Sequence, residues 1–279
     1  LAGKERPLEM SKKPPRLTSS WFTIFDLARD PLRRPLAYFE RLGDTFGGRM
    51  LGKDFLVTRC PEVFEDVLVK KHKAFIKDDI TRGLSQLLGN GLLTSEGDTW
   101  KKSRRVIVPH LQPRAIEQYL EIFRDEAERS VAAWSPGSTV DLHQQMTALA
   151  LRIILRSVFG TDAAESRDFE QSMRDVMSYF AGFANTSLPL PLWLPAPKNR
   201  RFLRAREHLN HGLQSILQSA RDASSGPSSV LHSLFSARES GQLDDRQLLD
   251  EALTFLLAGH ETTALALTYT LALLGDAPA

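Results

Sequence analysis

A single cysteine, Cys60, occurs among 279 residues. An internal disulfide is excluded, and a reducing, cytoplasmic compartment is the natural setting. An excess of either charge is lacking too: 36 Lys and Arg stand against 34 Asp and Glu, a net +2. Nucleic-acid binding needs concentrated basic patches, and so small an excess gives it no general support. Lys70, Lys71 and Lys73 do cluster, but a solvated helix face accounts for them. The opening "LAGKERPLEMSKKPPRLTSSW" has no apolar core, so residues 1–30 read as a polar leader, neither signal peptide nor membrane anchor. It starts at Leu1 rather than Met, which suggests a piece of a longer product. No internal repeat or low-complexity tract interrupts the chain.

What is present is ordinary globular composition, 42% hydrophobic and 25% charged, enough for one large domain or two small ones. Helical patterning dominates. "PLRRPLAYFERLG" predicts a short amphipathic helix ended by Gly43, and "TFGGRMLGKDFLVT" a hairpin turning at Gly52-Lys53. Pro61 suits the first turn of the helix that follows. Further helices are predicted over 114–134, 141–159, 165–184, 198–223, 228–240 and 244–274. The fold class is therefore mainly α with a small N-terminal β hairpin. Between two of these helices lies "NTSLPLPLWLPAP", residues 185–197, an apolar, proline-punctuated connection that is either a packed connector or a lid. Asn185 formally opens a glycosylation sequon, discounted in the absence of a secretion signal.

The last helix holds the most informative stretch. Asp244 and Asp245 suit a helix start, and "LLDEALTFLLAGHETTALALTYTLALL" is then apolar on all sides. The run from about Leu253 to Leu274 is long enough for a membrane span, but His260 and Glu261 fall near its middle, where an acid is costly. A buried helix in a soluble core is the better reading. There Gly259 costs about 1 kcal/mol relative to Ala and lets a neighbour approach the backbone. Thr262 can bond back to a carbonyl one turn earlier and loosen the helix. A gap, a hydroxyl and an acid together suit a ligand meeting a proton-delivering group, although a satisfied polar cluster is the bland alternative. His260-Glu261 also begins the zinc-protease pattern H-E-x-x-H, but Ala264 stands where the second His belongs.

Ala258-Gly259-His260-Glu261-Thr262-Thr263 resembles the A-G-x-[DE]-T-T signature of the distal helix in cytochrome P-450 monooxygenases. Upstream, Trp100 and Arg104 in "GNGLLTSEGDTWKKSRRVIVPHL" resemble that family's W-x-x-x-R, whose two side chains hold a haem propionate. The spacing is chemically sensible, since residues four apart share a helix face and Arg offers a fork to a carboxylate. A basic surface helix is the plainer explanation for this stretch alone, yet the resemblance runs from about Pro31 to the C-terminus. It implies an incomplete P450 domain over 31–279, binding haem b and inserting one atom of dioxygen into a small apolar substrate. Electrons would come from NAD(P)H through a ferredoxin- or flavodoxin-type reductase system. Trp100, Arg104, Ala258 and Gly259 would contact the cofactor; Glu261 and Thr262 would handle protons.

The family also needs a cysteine thiolate below the iron, in a Phe- and Gly-containing loop beyond the distal helix. This sequence ends at "GDAPA" just after that helix, and Cys60 in "FLVTRCPEVF" lacks the pattern. The family's structural E-x-x-R is missing from its expected place as well. No metal ligand is assigned within the chain, and the 279 residues alone are expected to be inactive. A non-catalytic helical remnant or interaction module is the alternative from another class.

Overall fold

The computed structural model describes residues 14–17, 29–30, 33–50, 53–160, 171–179, 192–222 and 230–277. The chain divides into two compact units, Leu1–Ile76 with Phe183–Pro189, and Lys77–Gly182 with Leu190–Ala279.

In the first unit, helix α1 (Arg33–Leu42) has the predicted amphipathic pattern and stops at Gly43, whose φ of +90° suits glycine. Strands β1 (Thr45–Met50) and β2 (Lys53–Thr58) pair antiparallel, with Thr45 opposite Thr58 and Met50 opposite Lys53. The predicted turn residue Gly52 lies outside the described residues. Phe46 is buried under the rings of Tyr38 and Phe39. Pro15 and Leu17, within the stretch read as a leader, bond to β1: the Leu17 N–H donates to Gly47 O and the Gly47 N–H to Pro15 O, both at 2.9 Å. Helix α2 (Pro61–Glu65) has its proline in the first turn, as predicted, and winds into a π-helical turn, Asp66–Lys70.

The second unit is all helical among its described residues. In order come α3 (Asp79–Gly83), α4 (Ser85–Leu88), α5 (Gly97–Ile107), α6 (Pro113–Glu117), α7 (Leu120–Ala132) and α8 (Leu142–Val158). They are followed by α9 (171–179), α10 (Pro197–Asp222), α11 (Val230–Glu239) and α12 (Asp245–Gly275). The helix predicted over 114–134 is broken between α6 and α7 by a turn at Gln118 and Tyr119, the Tyr119 side chain being buried. Residues 185–191, including Asn185 and most of the proline-rich connection, lie outside the described residues; Trp193 is exposed.

α12 packs most extensively along α8. Asp244 caps α12 by accepting from the Gln247 N–H at 2.7 Å, and the Gln247 side chain returns the bond. Leu253, Leu256, Leu155, Phe159, Leu209 and Leu213 share the core. Glu126 ties α7 to α8, accepting from Arg152 Nε at 2.8 Å and Arg156 Nη1 at 2.7 Å. Burial pushes its carboxyl pKa up, but the two guanidinium groups outweigh burial and leave it below the usual range. The N-terminal part of α12 is buried as far as His260 and Ala264, whereas Tyr269, Leu273 and Leu274 beyond it are exposed. No described helix is long and apolar enough to cross a membrane.

Candidate functional site at the centre of the longest helix

The polar centre of α12 presents its side chains in different directions. Ala258 and Thr262, one turn apart, lie on an exposed face; Gly259 and Glu261 are half-buried; His260 is buried. The Thr262 hydroxyl donates to Ala258 O at 2.6 Å, the back-bond predicted from sequence. Thr254, Thr268 and Thr270 make the same bond, so the bond itself is a habit of helical threonine. Thr270 repeats it beside exposed Ala266, so what distinguishes Thr262 is its position next to Glu261 and the polar cavity. The space left by Gly259 is occupied: a Cβ there would meet Ile154 Cδ1 of α8 at 2.8 Å. The glycine thus lets α8 pack closely here, although a Cβ would press only on the end of the flexible Ile154 side chain.

Glu261 faces another environment. With His260 it lines a cavity of about 900 Å³ at which α8, α9 and α12 meet, whose wall also carries Asp141, His143 and Arg174. His260 is only 2% exposed, and neither ring nitrogen closes a well-formed hydrogen bond, although the Thr147 main chain lies close enough to interact with the ring. Burial lowers its pKa from the ordinary 6.5 to about 4, with the Thr147 main chain opposing and nearby His143 and Arg174 adding to the drop. The imidazole is neutral over the physiological range.

On α5, the Arg104 guanidinium lies 5.1 Å from the Trp100 ring centroid, in cation–π range. Among the described residues Arg104 has no ion-pair partner, whereas neighbouring Lys101 pairs with Asp98 at 2.9 Å. The sequence thus places Trp100 and Arg104 on one face, and the structure stacks them on each other.

Two acids that sequence reasoning passed over tie the loop between α4 and α5 to α12. Asp250 Oδ2 accepts from the Asn90 N–H at 2.7 Å, and Glu251 Oε2 from the Leu92 N–H at 2.9 Å. Gly91 allows this approach, because a Cβ there would collide with Thr254 and the Asp250 backbone. Lys77 Nζ donates to Leu92 O at 3.1 Å and Ser95 O at 2.6 Å, fixing the same loop from the other side. Glu251 is fully buried, and burial raises its pKa; Ser103, between Trp100 and Arg104, lies against its second oxygen without closing a well-formed hydrogen bond. The available signal was a pair of adjacent acids in an apolar helix beyond its first turn. No described hydrogen bond or ion pair joins Trp100 or Arg104 directly to residues 258–262.

A haem needs a small-residue surface for its distal side and cationic donors for its carboxylates. Ala258 with Thr262 offers the first, and Arg104, without an anionic partner among the described residues, the second. These residues fit the group. Cys60 does not supply a thiolate ligand as it stands, for its thiol donates to Glu62 Oε2 at 2.8 Å at the β2–α2 junction.

A family model for cytochrome P450 matches residues 13–279. Cyclooctat-9-en-7-ol 5-monooxygenase of Streptomyces melanosporofaciens is 33% identical over 257 residues, covering 88% of this chain and 55% of that protein. Pentalenene oxygenase of Streptomyces avermitilis is 27% identical, covering 88% of this chain and 56% of that protein. The crystal structure of CYP175A1 from Thermus thermophillus superposes with a TM-score of 0.75 at 28% identity, over 96% of this chain and 63% of that one. The chain thus spans about half the length of these curated relatives.

Proposed function

The chain belongs to the cytochrome P450 family, and from that premise we propose that it is part of a haem monooxygenase inserting one atom of dioxygen into an apolar organic substrate. The relatives named for oxygenating cyclooctat-9-en-7-ol and pentalenene support an apolar carbon skeleton as the substrate class. Haem b, when bound, supplies the iron at which dioxygen is reduced; electrons come from NAD(P)H through a ferredoxin- or flavodoxin-type reductase system. A thiolate-type absorbance of the reduced, carbon monoxide-treated protein should be unaffected by Cys60→Ser, since that thiol is committed to Glu62.

One observation carries the assignment of roles: Thr262 and Glu261, adjacent in sequence, face different surroundings. Thr262 shares the exposed face with Ala258, where the cofactor and dioxygen would lie, while Glu261 reaches the polar cavity. A proton held at the Glu261 carboxylate is thus one residue from a hydroxyl on the cofactor side. Thr262 already donates its one hydroxyl hydrogen to Ala258 O, which leaves its lone pairs to accept from a water; donating toward the cofactor side would require exchanging that back-bond. Trp100 and Arg104 hold a haem propionate, giving up their mutual stacking for a charge-assisted contact.

The test is made on the intact haem-loaded protein. Thr262→Val preserves shape and removes the hydroxyl; NAD(P)H consumption should persist while product per NAD(P)H falls several-fold and hydrogen peroxide rises. Glu261→Gln should slow turnover by roughly ten- to a hundred-fold, the range of a lost proton-transfer group, with a larger solvent isotope effect. Unchanged coupling in Thr262→Val would reduce the polar centre to a packing feature.

A further inference from the structure

The loop before α5, residues 89–96, is fixed by charged groups from three sides. From α12, Asp250 accepts from the Asn90 N–H and Glu251 from the Leu92 N–H. From the chain before α3, Lys77 Nζ donates to Leu92 O and Ser95 O. From α3, Arg82 pairs at 3.2 Å with Glu96, the residue that opens α5, and Glu96 also accepts from the Lys77 N–H. Leu92 is thereby held at both its N–H and its C=O. Gly89, at φ +61°, admits Asp250 to the loop, since a Cβ there would overlap its carboxylate. Asp250 is 4% exposed and Glu251 0%. Burying adjacent acids is costly unless their hydrogen bonds are used, and here both are directed at one short loop.

The loop leads directly into α5, and Glu251 touches that helix as well. Ser103, three residues after Trp100 and one before Arg104, is 0% exposed and lies against Glu251. At about 100° per residue, Ser103 stands roughly 60° from Trp100 and 100° from Arg104 around the helix axis. Seating Ser103 against α12 therefore fixes the directions in which both side chains reach. Arg104 is exposed and has no ion-pair partner among the described residues, so its aim depends on how α5 is seated. We propose that Glu251 and Lys77 are positioning residues for the haem-propionate pair, clamping the loop and with it the rotation of α5 that aims Trp100 and Arg104. This role rests on the propionate reading of that pair, and neither Glu251 nor Lys77 is assigned contact with the cofactor. Contacts of this kind tolerate only about 0.5 Å of misplacement, which a loop held on one side alone would not guarantee.

The experiment measures release of haem, and of its dimethyl ester with both propionates esterified, from the intact loaded protein to apomyoglobin. Arg104→Ala should speed haem release several-fold and leave release of the ester nearly unchanged. Glu251→Ala and Lys77→Met should show the same selectivity, and should add little in an Arg104→Ala background. Glu251→Gln, which still accepts from the Leu92 N–H, should retain haem as the parent does. General loosening of the fold accelerates both forms alike, so the quantity read is the acceleration for haem relative to that for the ester. Equal acceleration of the two, full additivity with Arg104→Ala, or parent-like haem release in Glu251→Ala and Lys77→Met overturns the positioning role. If Glu251→Ala does not fold, Lys77→Met decides, because the Leu92 and Ser95 carbonyls it frees can turn to water. If Arg104→Ala itself fails to distinguish haem from ester, the propionate reading is wrong and the positioning role falls with it.

Discussion

At the scale of single residues, burial decides chemistry more than identity does. His260 and Glu261 are neighbours in sequence, yet one is enclosed and neutral while the other reaches a polar cavity. The depressed His260 pKa has a pH consequence with a definite sign. As pH falls below 6.5, the unfolded chain takes up a proton that the folded imidazole refuses until about pH 4. Stability is therefore complete above about pH 6.5 and declines toward pH 4, by up to about 3 kcal/mol at 1.36 kcal/mol per pKa unit. Urea unfolding of His260→Leu between pH 7 and 4.5 should show a shallower slope than the parent. Equal slopes would mean that the imidazole is already protonated or well hydrated in the fold.

At the scale of elements, the loop between α4 and α5 is held by acids of α12. Glu251 is buried with a raised pKa, so its ionised form carries a cost above the folded pKa that fades as pH falls. Glu251→Gln keeps an acceptor for the Leu92 N–H and removes the buried charge; at pH 7 it should match or exceed the parent in stability, the advantage shrinking at lower pH. Glu251→Ala orphans that N–H and should lose about 1–3 kcal/mol. Identical losses from both would place the effect in packing alone. The other prediction at this scale concerns α5. Arg104→Ala should markedly weaken haem retention in the loaded protein, since a charge-assisted bond contributes about 1.5–3 kcal/mol. Lys101→Ala should not, because Lys101 is turned to Asp98. Haem transfer to apomyoglobin measures both, and equal rates would make α5 a generic basic face.

At the scale of the molecule, the later turns of α12 expose Tyr269, Leu273 and Leu274 beyond a core that ends near Ala264. Apolar area contributes about 25 cal/mol per Å² when covered, so the 279-residue chain by itself should self-associate or unfold over a broad range. Replacing Leu273 and Leu274 with Glu should reduce that association in sedimentation velocity runs. A sharp, cooperative transition in a monomeric parent would refute the expectation.

The sequence by itself determined the helical class, the hairpin, the Thr262 back-bond and the common face of Trp100 and Arg104, because each depends on local spacing or local backbone geometry. The family was also legible, through two motifs whose residues carry specific chemistry. Only tertiary structure decided what Gly259 accommodates, which acids anchor the loop before α5, and where the predicted helix over 114–134 breaks. Those outcomes rest on contacts between residues distant in the chain: Ile154 against Gly259, Leu92 against Glu251. A periodic pattern records which side of a helix is apolar, but not which partner's atoms fill the space against it.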